Sequence, residues 1–102
     1  MNWNSLSNAV IVVEIGKRLK EYRLKRRLSQ QELAGRAGVS LFTVAKIEAG
    51  KPVSISMLLP VMRVLRLLDN LELLLPEIGI SPIEMLKLKG KTPRRIRAKK
   101  TQ

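Results

Sequence analysis

The chain of 102 residues contains no cysteine and no histidine. Those two types dominate zinc, copper, iron–sulfur and thiol chemistry, and histidine is the commonest acid–base catalyst, so metal and redox readings fall away and no metal site is expected. A disulfide scaffold is excluded, which fits a reducing cytosol and a cytoplasmic location. Aromatics are scarce: Trp3, Tyr22 and Phe42 are scattered singly. That argues against single-strand RNA recognition, which stacks bases on several rings. No apolar run approaches the roughly 18 residues of a membrane span, and Met1–Ser7 carries no basic side chain ahead of Ala9–Val13, so neither span nor signal peptide is expected. Acid is also short, with eight Asp and Glu against twenty Lys and Arg, a net charge of +12. Such a balance favours polyanionic partners, nucleic acid above all.

What is present suffices for one domain. Hydrophobic residues make up 45% of the chain at a mean hydropathy of −0.01, enough apolar material for a core in a chain of ordinary domain length. Val12, Ile15, Leu19 and Tyr22 recur at helical spacing, with Lys17, Arg18, Lys20, Arg23, Lys25, Arg26 and Arg27 on the other faces, predicting a basic amphipathic helix. Its start has two readings: a cap at Ser5 or Ser7, or a short extended arm over the β-branched run Val10–Val13. Ser29-Gln30-Gln31-Glu32 is a capping box that opens a second helix, ended by Gly38. Ser40 caps a third helix through Ala49, with Gly50 as terminator. Ser54 or Ser56 opens a fourth to about Leu68, where Pro60 predicts a bend or a late start. A short fifth helix should reach Leu75 before Pro76. Ser81-Pro82-Ile83-Glu84 predicts a sixth to about Leu88, and from Lys89 the chain is a basic tail expected to be disordered. No alternating run demands a sheet, so the fold class is all-α.

The segment Gln30 to Ile47 carries a specific spacing: Leu33-Ala34, then Ala37-Gly38-Val39, then Val44 and Ile47. Two helices joined by so tight a turn need a small residue where they touch, supplied by Ala34, and a residue free to turn, supplied by Gly38. Over about residues 13–68 this resembles the helix-turn-helix of the phage-repressor family, also called XRE or lambda-repressor-like. The resemblance implies a compact five-helix DNA-binding domain, placed over residues 1–76, and the rest of the chain divides into a short helical extension over 77–90 and a basic tail over 91–102. It also implies an interhelical ion pair between Arg23 and Glu48.

With Val44 and Ile47 facing inward, Phe42, Thr43 and Lys46 fall on the far side of the third helix, Leu41 at the border and Ser40 at its start. These five are the candidates for base contact in the major groove. Lys46 suits guanine O6 and N7, Thr43 several bases, and Leu41 and Phe42 thymine methyls. Leu41 could instead cap the core, and Phe42 could belong to a protein interface. Gln30 and the free amides at the second helix start suit a phosphate, as the family implies, and Arg36 and Lys51 would add phosphate contacts.

One recognition helix offers little specificity, so a homodimer on a near-palindromic operator is expected. From Met57 to Leu75, 13 of 19 residues are apolar. Leu65, Leu68, Leu71, Leu74 and Leu75 are the candidate dimer surface, with a monomer core as the alternative. The stretch Ile80–Lys91 and the tail resemble the C-terminal extension of HipB-type antitoxins. That resemblance implies a repressor of its own operon, partnered by a HipA-type serine/threonine kinase toxin in one chain or split in two. The competing readings are a stand-alone repressor and a small basic RNA-binding protein. No nucleophile–base pair or phosphate loop stands out, so neither an enzyme nor a cofactor is expected.

Overall fold

A computed structural model describes residues 1–79. The described residues divide into a unit over Met1–Asp69 and a second that begins at Asn70. The first opens with a 3-10 turn, Trp3–Ser5, and holds four helices: α1 Asn8–Lys25, α2 Gln30–Ala37, α3 Leu41–Glu48 and α4 Ile55–Val64. A second 3-10 turn covers Leu68–Asn70. In the second unit α5, Leu71–Leu74, is a single turn closed by the Leu75 amide on the Leu71 carbonyl at 2.7 Å. The described residues are helical and include no strand. The helix expected at Ser81 and the basic tail lie outside them.

Each of the four longer helices starts on a serine whose hydroxyl accepts an orphan amide, Ser7 from Val10, Ser29 from Glu32, Ser40 from Thr43 and Ser54 from Met57. Val10–Val13 is therefore helix and not an extended arm. The same four helices end alike, with an amide reaching back five residues to a carbonyl: Leu28 to Arg23, Val39 to Ala34, Lys51 to Lys46 and Leu67 to Met62. The residue before each of those amides is left-handed, namely Arg27, Gly38, Gly50 and Arg66. Two of these are arginines, at φ 59° and 62°, where a Cβ costs about 1–2 kcal/mol. Arg66 also stops α4 at Val64, short of the expected Leu68. The start of α4 is not delayed, because Ser54 caps it and Pro60 sits inside the helix. Pro60 lacks the amide that would bond the preceding turn.

The core gathers Leu19, Leu33, Ala34, Val44, Ile47, Val61 and Leu65, with Ala37, Val39, Val53, Leu58, Met62, Val64 and Leu67 packed around it. Two sequence expectations are corrected here. The buried stripe of α1 is Gly16, Leu19 and Arg23, whereas Ile15 and Tyr22 are exposed. The stripe runs through a glycine and an arginine because α1 meets α3 by backbone and by an ion pair as well as by apolar side chains. Leu65, assigned to a dimer surface, is 1% exposed. Its side chain is enclosed by the core of its own unit and cannot face a second copy. Leu68 is half-buried in its 3-10 turn, and Leu71, Leu74 and Leu75 belong to α5 and its C-cap.

Candidate nucleic-acid interface

α3 sits against α1, α2 and α4, and its sequence decides which face is left over. Val44 and Ile47 are buried at 1% and 4% exposure. One turn apart on the same stripe, they turn the opposite face outward. Phe42 is 70% exposed and Leu41 48%, while Thr43 and Lys46 are half-exposed. Leu41 thus does not cap the core. The Lys46 ammonium stands 5.5 Å from the centre of the Phe42 ring, one turn away on the same face, within range of a cation–π attraction.

The polar groups of the first turn serve the helix itself. Ser40 Oγ accepts the Thr43 amide at 3.0 Å and lies 3.0 Å from the Thr43 hydroxyl. Arg36 and Lys51 are exposed. At the start of α2, Glu32 closes the capping box by accepting the Ser29 amide at 2.8 Å. That bond first, then the Ser29 hydroxyl contact, holds the Glu32 carboxyl below its ordinary value, with Arg36 adding a smaller attraction.

The back of α3 is tied down at its C-terminal end. Arg23 reaches Glu48 Oε2 through Nε at 2.6 Å and Oε1 through Nη2 at 3.0 Å, and its Nη1 donates to the Leu28 carbonyl at 2.7 Å. The two side chains are 8% and 5% exposed. Gln30 Nε2 donates to the same Glu48 Oε1 at 2.9 Å, so one carboxylate joins the last turns of α1 and α3 to the first residue of α2. The Gln30 amide group is thereby turned toward Glu48.

Gly16 is the residue that the sequence reading passed over. A Cβ there would land on the Ile47 carbonyl oxygen, and one on Gly50 would press into Val13. A glycine amid apolar residues four apart on a helix face is a signal of close helix approach, and it could have been found in the sequence. Among the described residues no group of His, Cys, Asp and Glu could hold a metal, and no helix is long and apolar enough to cross a membrane.

A family model described as "Helix-turn-helix domain" matches residues 14–75, more than half of the chain. No curated protein matches the sequence.

Proposed function

The chain belongs to the helix-turn-helix domain family, and from that premise we propose that it is a sequence-specific double-stranded DNA-binding repressor that works as a homodimer. The observation that carries this reading is the outward face of α3. Phe42, Thr43 and Lys46 project from a helix whose opposite side is fixed by Val44, Ile47 and the Arg23–Glu48 pair. A helix presented in this way enters a major groove with its first turns toward base edges. Arg36, Lys51 and the amides at the start of α2 then meet phosphates, which set register without reading sequence.

The test is binding to duplexes selected from a randomised pool. With about eight phosphate contacts per dimer, log affinity falls against log salt with a slope near −7. Lys46→Glu combined with Thr43→Ala abolishes selection of the preferred duplex. Intact affinity in that folded double variant, or preference for single-stranded RNA at equal salt, refutes the proposal.

The antitoxin role is the more specialised form of the same proposal. It rests on the resemblance of Ile80–Lys91 to HipB-type extensions, outside the described residues. Its check is co-purification with a kinase-like product encoded beside this gene. Without such a partner, the chain is a stand-alone repressor. The dimer would use the leucines at 68, 71, 74 and 75, and sedimentation as a monomer at tens of micromolar removes it.

A further inference from the structure

Two large apolar side chains hold the most exposed places at the start of α3, Leu41 at 48% and Phe42 at 70%. The hydroxyls beside them are paired with one another. What the first two turns offer a base edge most prominently is therefore an aromatic ring with an ammonium over it, beside a single hydroxyl hydrogen left over from that pair. The ring-to-ammonium separation is 5.5 Å, more than one base step of about 3.4 Å and less than two. A ring resting on one base pair thus leaves the ammonium, on its flexible four-carbon stem, within reach of a neighbouring pair.

The major-groove edge that an apolar ring prefers is the C5 methyl of a pyrimidine, and the edge that an ammonium prefers is guanine O6 and N7. We propose that Phe42 and Lys46 act as one reading unit whose target is a C5-methylated pyrimidine beside a guanine. Thymine and 5-methylcytosine carry that methyl at the same place, so both satisfy the unit, and unmethylated cytosine does not. Phe42 has a second role as a positioning residue: its ring holds Lys46 aimed at the neighbouring pair. This rests on the DNA-binding reading above and deepens it by naming the feature recognised, and it makes cytosine methylation a modulator of binding.

The test uses the full chain and a duplex selected from a randomised pool. Thymines are replaced singly by deoxyuridine, which removes only the methyl. One position per half-site should lose about fourfold in affinity, the value of one buried methyl group, and Phe42→Ala should lose nothing further there. Replacing that pair by cytosine–guanine weakens binding, and 5-methylation of the cytosine recovers about the same factor. 7-Deazaguanine at the adjacent position, which lacks the N7 acceptor, weakens the unaltered protein and not Lys46→Ala. Phe42→Leu, apolar but without a ring, keeps the sensitivity to uracil and loses sensitivity to 7-deazaguanine. Because Phe42 is exposed, its variants should keep the circular dichroism of the parent. The proposal is overturned when the selected duplex still binds but every deoxyuridine is tolerated. It is equally overturned when the methyl effect survives in Phe42→Ala, or when Phe42→Ala changes only the sedimentation of the protein. If no duplex is enriched at all, the DNA-binding reading itself fails first.

Discussion

Removing either partner of the Arg23–Glu48 pair should have unequal consequences. Glu48→Ala takes away the acceptor of two Arg23 bonds and of Gln30. It leaves a buried guanidinium with the Leu28 carbonyl and no means of losing its charge. Arg23→Ala leaves a carboxylate that still accepts from the Gln30 amide. Breaking a buried pair from one side costs about 3–5 kcal/mol, and Glu48→Ala should lie at the upper end. A unit of 69 residues has about 3–10 kcal/mol in total, so this single change removes much of the stability. The double variant leaves no orphaned charge and should lose about as much as one single variant, giving a coupling near 3 kcal/mol, the top of the range for contacting residues. The assay is urea unfolding followed by far-ultraviolet circular dichroism, with trimethylamine oxide present to preserve a native baseline. Losses that add to within about 0.5 kcal/mol, or an Arg23→Ala variant weaker than Glu48→Ala, would refute the reasoning.

Three further outcomes follow from other contacts. Gly16→Ala drives a methyl into the Ile47 carbonyl and should destabilise by about 2 kcal/mol or more, seen as a lower midpoint in the same unfolding assay; an unchanged midpoint would mean that α1 and α3 are not in backbone contact. Arg66→Gly relieves a left-handed arginine at φ 62° and should stabilise by about 0.5–1 kcal/mol once the freer unfolded chain is counted, raising Tm by several degrees; a fall in Tm would show that the arginine side chain earns its place. Glu32, held below its ordinary value of 4.5 by the Ser29 bonds, binds fewer protons folded than unfolded, so its contribution is present above that value and lost as pH falls through the lowered one. Melting from pH 6 down to 3 should therefore show a smaller drop for Glu32→Gln than for the parent, and parallel curves would contradict it.

The helix borders were legible because they are written in local chemistry. Ser29 with Glu32, Ser40, Gly38 and Gly50 each satisfy orphan backbone groups within a few residues, so their meaning does not depend on the rest of the chain. The outward face of α3 was legible for the related reason that Val44 and Ile47 fix its phase. The stripe of α1 was harder to read because hydrophobicity scores Gly16 as neutral and Arg23 as surface, whereas the fold uses one for its missing side chain and the other for its three donating nitrogens. The end of α4 is hidden in the sequence because Arg66 gives no turn signal; its left-handed conformation goes with the Leu67 to Met62 bond that closes the helix. Leu65 reads as surplus apolar surface in a leucine-rich stretch, and only its burial in the same cluster as Leu33, Val44 and Val61 shows that the unit consumes it.

The glycine contacts behind α3 have a mechanical consequence. Side chains that fill a core can change rotamer, so a helix resting on them shifts when the filling changes. Gly16 rests on the Ile47 carbonyl and Gly50 on Val13, so the seat of α3 is main chain against main chain at one point and against a β-branched stem at the other. At these two points the height at which Phe42 and Lys46 stand proud of the body is limited by covalent dimensions. Substitutions at Val44 or Leu33 would loosen the core and leave this backbone seat in place.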